Sequence, residues 1–282
     1  MDCNPLFITS LNSGSNGNCY YVGNANEAIL VDAGISCKET EKRMARLGLS
    51  MSKVKGIFIS HEHGDHIRGL TVMAKKYRIP VYITCGTLGN SKLDIPQELI
   101  RHFNSHDQVA VGSLQITCFP KKHDAAEPHS FTISCGKIKV GVFTDLGVVC
   151  DQLSHHFQQC DAAFLEANYD EEMLRNGSYP YYLKSRITGG VGHLSNRQAL
   201  DLLINYRPAK LSHLLLAHLS KDNNNPQLVE TLFNEHAQDT VIVVASRLEE
   251  TPVYTIGAAS GSSVGNARSD RSVLQLQYSL PV

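Results

Sequence analysis

The chain has 282 residues, which fits one large domain or two small ones, and its 42% apolar content is enough for a full core. A formal net charge of −1 supplies no global positive field, so a nucleic-acid partner has to be held by a local patch. The start, MDCNPLFITS, lacks the basic and apolar regions of a secretory signal, and no run of about eighteen apolar residues appears; the expectation is a cytoplasmic protein with no membrane partner.

In chain order, LFITSL (6–11), AILVD (28–32), GIFIS (56–60) and VYIT (81–84) read as buried strands. LQITCF (114–119), KVGVFTD (139–145), AAFLEA (162–167), HLLLA (213–217) and VIVVA (241–245) continue the series. Helices fall between them. Ser36-x-x-Glu39 is a capping-box pattern opening a helix with Met44 and Leu47, and Gly48 suits its end. IRGLTVMAKKY (67–77) repeats apolar residues at helical spacing. Ser195 is an N-cap for a helix burying Ala199, Leu202 and Leu203, and Pro226 suits the first turn of a helix over 225–237. Strands in two blocks with helices outside suggest an αββα sandwich, with a doubly wound α/β fold equally compatible with the pattern alone. This domain spans 1–256. The remainder, 257–282, begins as a small, Gly/Ser-rich linker and ends in VLQLQYSL, which suits a docked strand or a tail. Eight cysteines show no C-x-x-C or paired spacing. Cys85, Cys118, Cys135 and Cys160 lie in apolar runs and read as small buried hydrophobes of a reducing compartment.

The chemistry is concentrated in SHEHGDHIRG, directly after the strand GIFIS. His61 and His63, two apart, can share a direction and ligate one metal. Asp65 and His66 can face a second, about 3.5–4 Å away. Imidazole and carboxylate donors suit Zn²⁺, Mn²⁺ or Fe²⁺ alike.

His61-x-His63-x-Asp65-His66 resembles the signature of the metallo-β-lactamase superfamily. LNSGSNGNCYYVG, LVDAG, FTDLG, GHLSN and AHLSKDNNNP, in that order with it, resemble the YycJ/WalJ branch over roughly residues 6–256. The resemblance implies an αββα sandwich with a site for two divalent metal ions at one edge. It also implies a cytoplasmic phosphodiesterase of the DNA 5′-to-3′ exonuclease type. Other implied possibilities are a cyclic-nucleotide or RNA phosphodiesterase of the same fold, and a metal-binding regulatory protein without turnover.

Carried over by residue, the resemblance assigns His123 to the first site with His61 and His63, with His129 as its competitor. It assigns Asp145 as the bridging carboxylate, and His218 to the second site with Asp65 and His66. Asp32 resembles the superfamily's first-strand aspartate and is expected to brace the ligand loop without binding metal. Asp65, His193 and Glu166 are the implied catalytic residues. His193 and His218 share a His-Leu-Ser core, yet His218 follows a strand and His193 follows the glycine-rich TGGVG. A strand end suits a rigid ligand, and a loop suits a mobile proton donor. In tRNase Z-like relatives a glutamate pairs with such a histidine, and Glu166 resembles it. A carboxylate on one ring nitrogen fixes the tautomer and raises the imidazole pKa. The implied reaction is hydrolysis by a hydroxide held between the cations, with His193 protonating the departing oxygen.

For substrate binding, NSGSNGN (12–18) is a hairpin loop that can be an anion nest through Ser13, Asn16 and Asn18, or an ordinary tight turn. Lys221 and Asn223 can reach phosphate or sugar, or the asparagines can cap the next helix. In 177–190, Tyr181 and Tyr182 can stack on bases, and Lys184 and Arg186 can hold phosphates, or the segment is a packed loop with a solvated basic face. Lys121 and Lys122 add positive charge beside His123. His102, His106, His155, His156, His213 and His236 show no ligand spacing and read as structural.

Overall fold

Strands buried on both faces, such as 28–31 and 162–166, build two seven-stranded sheets. The computed structural model describes residues 5–257. The tail from 258 onward, including VLQLQYSL, lies outside the described residues. The strands of the first sheet are β1 (Leu6–Asn12), β2 (Cys19–Gly23), β3 (Ala28–Val31), β4 (Val54–Phe58), β5 (Val81–Ile83) and β6 (Ile100–His102). The second sheet holds β7 (Gln108–Val111), β8 (Leu114–Pro120), β9 (His129–Cys135), β10 (Ile138–Phe143), β11 (Ala162–Glu166), β12 (His213–Ala217) and β13 (Val241–Val244). A last strand, β14 (Tyr254–Ile256), returns to pair with β1, Leu6 opposite Ile256.

The sheet orders are β14-β1-β2-β3-β4-β5-β6 and β13-β12-β11-β10-β9-β8-β7. β1 to β3 and β7 to β10 are antiparallel meanders, whereas β3 to β6 and β10 to β13 are parallel. The two sheets thus share a plan that no sequence repeat announces. The period of two sorts the core into three layers. Ile8, Phe58, Phe131, Phe164 and Leu215 fill the space between the sheets. Leu30, Ile57 and Ile59 face outward onto Met44, Leu70 and Met73 of the flanking helices. Leu165, Leu214 and Leu216 face outward onto Leu153, Ala199, Leu203 and Phe233. This is the αββα sandwich, and the doubly wound alternative is excluded.

Local expectations were met unevenly. Ser36 caps the helix Cys37–Arg46 by accepting from Glu39 N, but the capping box is only half made, because the Glu39 side chain pairs with Arg43 at 2.9 Å. The complete box is at Ser195 and Gln198, opening the helix Asn196–Tyr206. The helical run over 67–77 is broken into Gly64–Ile67 and Leu70–Tyr77. Gly69, between them, passes against the Ile35 carbonyl, where a Cβ would collide. Cys85 is exposed at the head of a short helix, contrary to the buried reading, while Cys118, Cys135 and Cys160 are buried. Residues 177–190 include a helix, Tyr181–Thr188, which periodicity did not predict. No helix among the described residues is long and apolar enough to cross a membrane.

Candidate metal centre

Parallel strands end together, and the side chains of interest lie just past those ends. In β11 and β12, Glu166 is in register with Ala217, so His218 emerges beside Glu166. Asp145 follows β10, Asp32 follows β3, and the loop His61–His66 follows β4. Asp32, Asp145 and His218 each turn the chain in the left-handed region, with φ of 61°, 54° and 56°. Such a conformation in a residue other than glycine costs roughly 1–3 kcal/mol and is retained where the surroundings enforce it.

Those surroundings are hydrogen bonds that set the rings. Asp32 is fully buried. It accepts from Ser60 N and Ser60 Oγ, each at 2.8 Å, and from His66 Nδ1 at 2.7 Å. Ser60 Oγ accepts in turn from His61 Nδ1 at 2.9 Å. His123 Nδ1 donates to the Gly192 carbonyl at 3.0 Å, and His218 Nδ1 to Glu166 Oε1 at 3.1 Å. Four rings are therefore tied through Nδ1 and present Nε2 as a lone pair, the arrangement usual for metal-ligating histidine. His63 offers Nδ1, 3.1 Å from His61 Nε2.

These atoms converge in two groups. His61, His63 and His123 form one, and Asp65, His66 and His218 the other. Asp145 lies between them, Oδ2 at 3.3 Å from His66 Nε2 and Oδ1 at 3.9 Å from His123 Nε2. His123 Nε2, His218 Nε2 and Asp145 Oδ2 are buried without a hydrogen-bond partner. Orphaned lone pairs of this kind are costly unless something fills the space between them, so the donor set fits two divalent cations. His129, the competitor of His123, points elsewhere, with Nδ1 toward the Glu127 carbonyl and Nε2 toward Ser105 Oγ.

Charge points the same way. Burial pushes the His61 ring well below its usual range, which keeps it neutral and able to ligate. Burial would also lower His218, but Asp145, Asp65 and Glu166 override it and hold the ring up at about 10. The carboxylates demand positive charge at the centre, and cations can supply it.

His193 lies on the rim. Its Nδ1 is 2.8 Å from Glu166 Oε1, and its side chain is 21% exposed against 4% for His218. Glu166 is buried, and its Oε2 accepts from Leu146 N at 2.6 Å and Leu194 N at 3.3 Å. Asp145, Glu166, His193 and His218 do group within ligand range. The Nδ1 atoms of both histidines are, however, already bonded to Glu166.

An open pocket of about 340 Å³ exposes His63, Asp65, His123, Asp145, His193 and His218, and its wall adds Ser15, Gly64 and Arg186. The polar residues expected to meet substrate are distributed differently. Ser13 and Asn18 are buried, turned inward and fully engaged. Ser13 Oγ accepts from His218 N at 2.7 Å, and Asn18 Nδ2 reaches Asp65 Oδ2 at 3.2 Å. Asn16 Nδ2 donates to the Arg247 carbonyl at 2.7 Å. Ser15, the exposed residue of that loop, is the one at the pocket. Lys184 faces a neighbouring groove, Lys221 lines a groove beside β13, and Asn223 is buried. Lys121 is buried and donates to the Thr144 carbonyl at 2.7 Å, bracing the turn into Asp145, and Lys122 faces a different surface. The remaining histidines take no part in a candidate metal grouping among the described residues.

The two His-Leu-Ser segments are joined behind the site. Asn196 and Asn224 exchange amide hydrogen bonds of 3.0 and 2.9 Å. Asn224 also donates to the Ala167 and Asn168 carbonyls, Asn168 donates to the His218 carbonyl, and Asn225 caps the helix Pro226–Asn234. Asn224 and Asn225 thus serve structure. The helix cap is the role that the sequence offered for these asparagines, whereas the Asn196–Asn224 and Asn168–His218 links are not legible from spacing, because their members lie 28 and 50 residues apart.

Residues 27–218 match the β-lactamase superfamily domain model. The chain is 38% identical over 226 residues to exodeoxyribonuclease YycJ of Bacillus anthracis, covering 79% of this chain and 86% of that protein. It is 35% identical over 236 residues to exodeoxyribonuclease WalJ of Streptococcus pneumoniae, covering 81% and 87%. Among solved structures, the metallo-β-lactamase fold protein YhfI of Bacillus subtilis aligns with a TM-score of 0.69 at 17% identity, covering 89% of this chain and 99% of that one.

Proposed function

The chain belongs to the β-lactamase superfamily, in the branch of the YycJ and WalJ exodeoxyribonucleases, and from that premise we propose that it removes nucleotides from the 5′ end of DNA. The observation that carries this reading is the division of labour among the histidines. Five of them, with Asp65 and Asp145, account for two cation sites, and His193, held by Glu166, is left over at the pocket wall. Glu166 also orients His218, but metal ligation alone leaves His193 without a task.

His61, His63 and His123 would hold one cation and Asp65, His66 and His218 the other, with Asp145 between. Bound there, divalent cations supply Lewis acidity and a water whose pKa falls toward about 7. Asp32 keeps the His66 lone pair aimed directly and that of His61 through Ser60. Asp65, more exposed than Asp145, serves both as ligand and as acceptor for the attacking water. His193 carries one proton on Nδ1 toward Glu166 and gives the other, from Nε2, to the departing oxygen. Arg186 and Ser15 line the approach and meet the phosphate where Ser13, Asn16 and Asn18 are otherwise engaged.

The test is a panel of 5′- and 3′-labelled DNA, RNA, cyclic nucleotides and a chromogenic phosphodiester, each with Mn²⁺, Zn²⁺ or Fe²⁺. Stepwise loss from the DNA 5′ end is the expected result. Degradation of RNA or cyclic nucleotides with DNA left intact would replace this substrate assignment.

A further inference from the structure

Beside the metal pocket lies a second groove of about 680 Å³, open to solvent. Its walls are the helices Glu171–Asn176 and Tyr181–Thr188. The second of these borders both cavities. Tyr181, Lys184, Ser185 and Thr188, at helical spacing, face the groove, while Arg186 lines the metal pocket. The substrate path and the groove are therefore separated by one helix.

The groove has the chemistry of a strand holder. Tyr169 and Tyr179 form its floor with Leu174, and Tyr181 stands at its rim, 85% exposed. Exposing a tyrosine ring to that degree leaves its face unpaired. Arg175 and Lys184 line it beside the single carboxylate of Glu171, which accepts from Ser195 Oγ at 2.9 Å, and the Lys184 ammonium is held at the groove wall by the Arg175 carbonyl at 2.7 Å. The helix is well anchored for this task, because Ile187 and Leu183 pack with Tyr169, Leu174 and Tyr179 in their own small core. Arg186 is held in place by Asp124 at 2.5 Å. A cavity of this size accommodates roughly one or two nucleotides.

We propose that this groove binds an unpaired stretch of the polynucleotide whose scissile phosphate lies at the metal pocket, with Tyr181 stacking on a base and Arg175 and Lys184 contacting phosphates. The inference rests on the phosphodiesterase reading of the centre and adds to it that the substrate is gripped as a single strand. Stacking on an aromatic platform with flanking cations tolerates any base, so the grip is independent of sequence.

The test measures binding apart from turnover. Fluorescence anisotropy of a labelled oligothymidylate is followed with full-length protein in EDTA. Tyr181→Ala and Lys184→Ala should each raise Kd roughly fivefold to tenfold, with a steeper loss in the double variant and a shallower salt dependence for Lys184→Ala. Lys75→Ala, on a helix of the opposite layer, serves as the charge control and should leave Kd unchanged. Tyr181→Phe should retain binding, which separates stacking from the hydroxyl. Unchanged affinity in both alanine variants, or binding of duplex in preference to single strand, would overturn the proposal. Hydrolysis of the chromogenic phosphodiester by wild type reports on the centre alone. Turnover with oligonucleotide affinity insensitive to these variants sinks the groove and spares the centre, and the converse spares the groove.

Discussion

His193 and His218 hydrogen-bond to the same oxygen, Glu166 Oε1, at 2.8 and 3.1 Å. One carboxylate thus sets the tautomer of a proposed ligand and of a proposed proton donor. The His218 Nε2 is buried and orphaned, whereas His193 reaches the pocket wall. His193→Ala should therefore lower turnover by roughly 10²–10⁴ and leave bound metal unchanged. His218→Ala should lose metal at the second site. Metal analysis beside initial rates checks both, and metal loss in His193→Ala would make it a ligand.

Asp32 controls two rings from behind. Replacing it with Asn puts an amide where His66 Nδ1 and Ser60 now donate. Asp32→Asn should weaken metal affinity roughly 10–100-fold and, by leaving buried donors opposed, cost about 1–3 kcal/mol of stability. Competition with a chelating dye and urea denaturation measure the two effects. Unaltered metal affinity would show that the rings are oriented by packing alone.

Gly34 passes against the ligand loop so closely that a Cβ would land on the Asp65 carbonyl oxygen, and Asn18 N bonds that same oxygen at 2.7 Å. Gly34→Ala should destabilise the fold by roughly 1–3 kcal/mol as backbone moves aside. Gly89, exposed in the helix Cys85–Asn90 with open space around it, is the contrast. Gly89→Ala should be neutral or stabilising by up to about 1 kcal/mol. Urea midpoints for both variants decide the matter.

His156 stacks on Phe119 at 4.0 Å with Nδ1 buried and unpaired. Burial, with a smaller contribution from His155, pushes its pKa down to about 4. The unfolded chain, near the usual 6.5, binds the proton more readily, so stability is present above that pH and drains away as pH falls toward 4. Because the ring is only partly buried, the loss is roughly 1–2 kcal/mol after allowance for solvent screening. His156→Phe should flatten this window relative to wild type in urea titrations at about pH 7 and pH 4.5. An identical slope in both proteins would assign the acid sensitivity elsewhere.

Much of this was legible one-dimensionally. The run His61-x-His63-x-Asp65-His66 is local, so its spacing survives folding. The strands are announced by continuous apolar runs such as AILVD and HLLLA, although which face each side chain takes follows only once the pleat is placed. The element preceding each His-Leu-Ser segment separated His218, at the end of β12, from His193, after a glycine loop. The wider ligand set came from resemblance, and the structure brings those same residues together.

The misassignments have a common physical origin. Ser13, Ser15 and Asn18 belong to one loop of similar composition, and only the turn decides which side chain faces in. Ser13 bonds His218, 205 residues away, and Asn18 bonds Asp65, 47 away. Lys121 and Arg186 were both candidate cations near the site, yet one is buried behind Asp145 and the other lines the pocket. Sequence determined which residues can bind metal and which elements carry them, because both depend on short-range spacing and hydrophobic periodicity. Tertiary structure decided which lone pairs are free, which carboxylate serves two rings and which loop atom meets the pocket, because those depend on hydrogen bonds between strand ends that only the packed sheets bring together.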